Sequence, residues 1–91
     1  MALKLTVPTA LRNITGQQDV IDVEPGTIKD IIASVDKTYA GFRTRICEED
    51  NKLRRFINIY VDGEDIRFLD NLATSVADGS EVAIILAIAG G

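Results

Sequence analysis

The chain has 91 residues, 46% hydrophobic and 26% charged, with ten basic against fourteen acidic side chains and a formal net charge of −4. That length holds one domain, which buries about 60 to 65% of its unfolded surface and leaves no room for a second. A pI of 4.6 and a longest basic run of only Lys52-Leu53-Arg54-Arg55 argue against nucleic acid and suit a basic groove on a partner protein, while the absence of histidine removes the usual general base and the commonest metal ligand.

In chain order, Leu3, Leu5 and Val7 alternate with Lys4 and Thr6 and stop at Pro8, which predicts a first strand. A connector from Thr9 to Gln17 follows, and then Val20, Ile21 and Val23 predict a second strand that returns antiparallel to the first. Thr27 reads as a helix N-cap, with Asp30 standing in for the glutamate of a capping box. Ile28, Ile31, Ile32 and Val35 then recur at helical spacing, giving a helix with one apolar stripe. Four β-branched residues on that stripe make it a mediocre helix alone, so packing across a sheet must hold it. Its end is expected near Tyr39 or Ala40, with Gly41 just beyond as a left-handed C-terminal residue.

Phe42 to Arg55 reads as the least organised segment, a surface loop with one short helical turn near Phe42 to Ile46. It carries the lone Cys47, which excludes an intramolecular disulfide. Glu48, Glu49 and Asp50 beside that thiol disfavour a thiolate, so Cys47 reads as a bystander. Phe56 to Val61 predicts a third strand, with Ile57, Ile59 and Val61 toward the helix and Phe56, Asn58 and Tyr60 on the other face. Asp62-Gly63 is a strong hairpin signal, with Glu64 to Phe68 as a short return. Leu69 to Thr74 is expected to be irregular, and Asp78-Gly79 turns into a last strand rich in Val, Ile and Leu, beginning at Glu81.

A hairpin, a crossing helix and further strands give an α+β chain in which a mixed sheet carries one main helix on one face, the β-grasp (ubiquitin-like) arrangement. The domain is expected to span residues 1–87, followed by a flexible C-terminal tail, 88–91, that ends in Gly90-Gly91. Glycines without a Cβ let such a tail thread into a narrow site. No charged leader with an apolar core and no run near about 18 apolar residues is present, so the expectation is a cytoplasmic chain with no membrane association. No phosphate-cradling glycine motif, metal-ligand spacing or activated nucleophile is visible, which argues against an enzyme in its own right.

The segment Phe56 to Phe68, the run Ala77-Asp78-Gly79-Ser80-Glu81-Val82 and the ending Ala89-Gly90-Gly91 resemble the ubiquitin-like sulfur carrier family of ThiS and MoaD. Val7-Pro8-Thr9-Ala10-Leu11-Arg12 and Asn58-Ile59-Tyr60-Val61 are most similar to its CysO branch, which serves cysteine biosynthesis. The resemblance implies a carrier with no catalytic residue and no bound cofactor of its own. In such carriers an E1-like adenylyltransferase of the MoeB/ThiF type uses ATP to adenylate the terminal carboxylate, here Gly91, and sulfur displaces AMP to leave a thiocarboxylate. Gly90, Ala89 and Ile88 would thread into the partner, and Phe56, Tyr60, Ala83 and Ile85, with Arg67 at the edge, would form the docking patch.

The acceptor implied by the CysO branch is a PLP-dependent cysteine synthase, with release of product by a JAMM-type metalloprotease. Two other readings share the same activated terminus: a MoaD-type small subunit bound to the molybdopterin synthase large subunit, or a ThiS-type thiamin or tRNA-thiolation donor. A protein modifier conjugated through Gly91 and a β-grasp binding module with an idle tail are the alternatives from other classes.

Overall fold

The computed structural model describes residues 3–50 and 52–86. The chain runs β1 (Leu3–Thr6), β2 (Val20–Val23), β3 (Gly26–Thr27), α1 (Ile28–Thr38), α2 (Phe42–Ile46), β4 (Ile57–Val61), β5 (Glu64–Asp65), β6 (Ser75–Val76) and β7 (Glu81–Leu86), with single 3-10 turns at Thr9–Leu11, Ile66–Phe68 and Asn71–Ala73. Five strands form one sheet in the order β2-β1-β7-β4-β5, and β3 pairs β6 in a separate two-stranded ribbon. β7 sits at the centre, parallel to β1 and antiparallel to β4. The sheet is therefore mixed, with α1 across one face, as the residue pattern predicts.

Period-2 alternation decides which side chains meet α1. Leu3 and Leu5 of β1, Ile21 and Val23 of β2, Ile57 and Ile59 of β4, and Val82 and Ile84 of β7 are all buried. They close against Ile28, Ile31, Ile32 and Val35, the predicted stripe of α1. A one-residue slip in any of these strands would turn its aliphatic set to water, so the register is fixed by burial. The cap of α1 is as read: Thr27 Oγ1 accepts from the Asp30 backbone N–H at 3.1 Å, and the Asp30 carboxylate accepts from the Thr27 N–H at 3.3 Å. At the other end, Asp62 (φ 49°) and Gly63 (φ 87°) both adopt positive φ, the two-residue turn that matches strand twist and joins β4 to β5.

Three local expectations change. α1 stops at Thr38 and is capped by Tyr39, whose backbone N–H reaches the Val35 carbonyl. Gly41 (φ 96°) is therefore not the C-terminal residue of α1; it is the N-cap of α2. The helical turn expected at Phe42 to Ile46 is present as α2, but it is not on the surface: Phe42 and Ile46 are both 0% exposed and seated in the core, while Glu48 to Asp50, Lys52, Arg54 and Arg55 beyond it are exposed, as expected. Spacing of four residues on one face of a helical turn explains the burial, but two apolar residues among Arg43, Thr44 and Arg45 are too short a pattern to announce it. The β3–β6 ribbon was also not predicted, because two-residue strands carry no periodicity. Cys47 is buried beside α2, and burial pushes its thiol pKa up while Arg43 and Arg54 pull more weakly the other way, in keeping with an inert thiol.

Phe42 is among the largest fully buried side chains of the described residues. Phe42→Ala is expected to cost about 3 to 5 kcal/mol of unfolding free energy, read by urea denaturation. A loss below about 1 kcal/mol would show that α2 is peripheral to the core.

Candidate functional site: the open face of the sheet and the end of the central strand

The strand that closes the core also leads toward the C-terminus. β7 is hydrogen-bonded on both edges, and its last described residue, Leu86, stands opposite Ile57 at the start of β4. At its other end the Asp62 carboxylate accepts from the Glu81 N–H at 2.9 Å, and the Asp62 N–H donates back to the Glu81 carbonyl at 2.9 Å. β7 is thus held along its whole described length. The predicted threading residues Ile88, Ala89 and Gly90, the reacting Gly91 and the domain boundary at residue 87 lie outside the described residues.

The face of the sheet away from α1 has two halves. Toward the β2 edge it is charged, with Lys4 of β1 paired to Asp22 of β2 at 2.5 Å. Toward β4 it is largely apolar: Tyr60 stands opposite Ala83, and Asn58 opposite Ile85. Ile85 is 45% exposed, Ala83 and Tyr60 are half-buried, and Phe56, directly before β4, is 46% exposed with the Arg55 guanidinium 5.8 Å from its ring centre. The predicted patch residues Tyr60, Ala83 and Ile85 therefore come together, and the segment from Phe42 to Arg55 does not hide them. Two exposed apolar residues escaped the sequence reading. Val20, opposite Thr6 on the same face, is 43% exposed, and Phe68 is 86% exposed. A signal for Phe68 existed: in a three-residue 3-10 turn whose Ile66 is fully buried, the side chain two positions on cannot also point inward.

Arg67 is engaged within its own chain. Its guanidinium donates to the Asp65 carboxylate at 2.9 Å and to Asn58 Oδ1, and its backbone N–H donates to Asp65 Oδ1 at 2.9 Å. Asp65 stands opposite Tyr60 across the β4–β5 hairpin, with its side chain 9% exposed. Hydrogen bonds from the Arg67 side chain, and secondarily from its backbone, hold the Asp65 carboxyl below the usual carboxylate range. The same contacts raise the Arg67 pKa, with a lesser contribution from Tyr60. The arginine braces the edge of the apolar patch and keeps more than half of its side-chain surface for contact outward.

An Asp65 pKa lowered by folding contributes stability above its unfolded value of about 3.9, and this is lost as pH falls through the lower folded value. The stability gap between wild type and Asp65→Asn should therefore hold constant near neutral pH and narrow on acidification below about 4. Chemical denaturation across that pH series checks this, and parallel curves down to pH about 2 would show that the pair is not coupled to folding.

The ThiS family model matches residues 5–91 of the chain. The sulfur carrier protein CysO of Mycobacterium tuberculosis is 40% identical over 93 residues, with all of both chains covered. Among solved structures, the crystal structure of the Amycolatopsis orientalis BexX/CysO complex contains a chain that superposes with a TM-score of 0.92 at 40% identity, covering 99% of this chain and 100% of that one. The crystal structure of M. tuberculosis CysO gives 0.89 at 38% identity, over 94% of this chain and 99% of that one. With the ubiquitin-like β-grasp sheet, its single crossing helix and the full-length match together, the chain belongs to the ThiS family of sulfur carrier proteins.

Proposed function

We propose that the chain is a sulfur carrier for cysteine biosynthesis that acts as a protein cosubstrate through the carboxylate of Gly91. The observation that supports this reading is the placement of β7: a central strand, buried on one face and paired with β1 over its first half and with β4 to its last described residue, that runs toward an Ala-Gly-Gly ending in a chain similar over its whole length to proteins named as sulfur carriers. A carboxylate is a poor electrophile until one oxygen becomes part of a good leaving group. In the proposed sequence the Gly91 carboxylate attacks the α-phosphorus of ATP on an E1-like enzyme and pyrophosphate departs. A sulfur nucleophile then adds to the acyl adenylate, AMP leaves, and the terminus becomes a thiocarboxylate.

The chain's own contributions are positional. Gly90 and Gly91 allow backbone alone to line a narrow channel, because neither carries a Cβ. Tyr60, Ala83, Ile85 and Phe56 offer an apolar patch on and next to the strands β4 and β7, and Arg67 edges it; exposed apolar surface of this kind on a small domain marks interaction sites. The acceptor is an unsaturated amino-acid derivative held by a PLP-dependent synthase, so PLP chemistry is the partner's. A metalloprotease of JAMM type would free the product from the adduct. The reading includes a cytoplasmic location, alongside the activating enzyme.

Deletion of Gly91 should abolish ATP–pyrophosphate exchange with the activating enzyme while leaving the melting temperature unchanged. Tyr60→Ala should weaken affinity for that enzyme by about 1 to 3 kcal/mol, read by calorimetry. Exchange that survives the deletion would refute activation at Gly91, and unchanged affinity would remove Tyr60 from the interface.

A further inference from the structure

A groove of about 500 Å³ opens beside the end of β7. Its floor is Leu53, Ile57 and Leu72, and its rim carries Lys52, Arg54, Arg55 and Arg67. Four of the ten basic residues of a chain with net charge −4 thus gather at one cleft, with no carboxylate in its lining. Asp65 neutralises Arg67, but Lys52, Arg54 and Arg55 form no ion pair with a described residue. Glu48, Glu49 and Asp50 precede Lys52 on the same turn and are not part of the lining, although the Asp50 carboxylate accepts from the Lys52 backbone N–H at 3.2 Å.

The rim is built, not frayed. The Arg54 backbone N–H donates to the Ile46 carbonyl and its Nε to the Thr44 carbonyl, each at 2.8 Å, so the guanidinium is anchored on α2 without losing its charge. A bridge between Cys47 and Leu53 and a 2.8 Å bond from the Glu48 N–H to the Lys52 carbonyl staple the turn that presents Lys52. The groove also has a particular place: Ile57, in its floor, is the cross-strand partner of Leu86. The groove thus lies beside the last described residue of β7.

We propose that this groove binds an acidic peptide segment of the enzyme that receives the tail, with carboxylates on Lys52, Arg54 and Arg55 and an apolar side chain on Leu53 and Leu72. The assignment rests on the sulfur-carrier reading for the partner's identity. A peptide fits better than a small anion because the cations stand on an open rim above an apolar floor, whereas a small-molecule site encloses most of its ligand. Rim charges of this kind act chiefly on encounter rate and salt dependence.

The test uses the full chain and two readouts. Amide NMR shifts follow titration with a peptide of alternating glutamate and leucine, with inorganic tripolyphosphate as the small-anion probe. Shifts at residues 52–55 and 71–72 with the peptide, lost in Lys52→Glu/Arg55→Glu, support the proposal. Equal response to tripolyphosphate, or no response to the peptide, overturns it. In parallel, thiocarboxylate formation by the activating enzyme at limiting carrier should require about tenfold more of the double variant, with an unchanged maximal rate, while Lys29→Glu/Lys37→Glu on α1 alters the net charge equally and has no such effect. Equal behaviour of the two double variants overturns the partner assignment. A wild-type chain that accepts no sulfur would refute the carrier reading instead, and the peptide titration would still decide the groove. Should Lys52→Glu/Arg55→Glu melt below wild type, Lys52→Gln/Arg55→Gln repeats both readouts.

Discussion

The pairing of β7 between β1 and β4 is the constraint on which the rest of the molecule depends. Being central, β7 pairs with β1 over Glu81 to Ala83 and with β4 over Val82 to Leu86, and Val82 and Ile84 drive one of its faces into α1. The other face, with Ala83 and Ile85, is left to solvent. One strand therefore anchors the fold, supplies part of an apolar surface and points the chain toward its reacting end. Under the proposed function this division is economical: the rigid body would hold a partner, and the chemistry proposed for the terminal carboxylate would be supplied by other proteins.

The charge distribution extends the same logic. On the open face, charge sits at the β1–β2 side, as Lys4 with Asp22, and apolar surface at the β4–β7 side. Beyond β4, cations collect around the groove while acidic residues dominate the chain as a whole. A partner that covers the apolar patch meets Arg67 already oriented by Asp65 and Asn58, so the ordering of that side chain is complete before association. Under the proposed function, specificity among acceptor enzymes would then reside in the shape and charge around the patch.

Most of this architecture was legible in the sequence because its long elements carry strong periodicity. The alternation in Leu3–Thr6 and Ile57–Val61, the stripe of α1, the capping box at Thr27 and Asp30, and the Asp62-Gly63 turn each appear where the residues place them. What escaped were features set by tertiary contact. α2 is too short for its two apolar residues to announce burial, and Gly41 serves the start of one helix rather than the end of another. Exposed Phe68 breaks the habit of aromatic burial, and the groove joins the basic run Lys52 to Arg55 with Arg67 and Leu72, which only the fold brings together. Strand parity set Asn58 and Tyr60 on the face away from α1, but the pairing of Arg67 was not legible, because its partner Asp65 is fixed by the hairpin geometry.

The most direct test of the account is intact-protein mass spectrometry of the full chain after incubation with ATP, a sulfide source and the E1-like enzyme of the same cell. The account predicts a gain equal to the mass difference between sulfur and oxygen, localised to Gly91 by fragmentation. No gain under conditions in which that enzyme activates another carrier would contradict it, and would leave the chain as a β-grasp binding module.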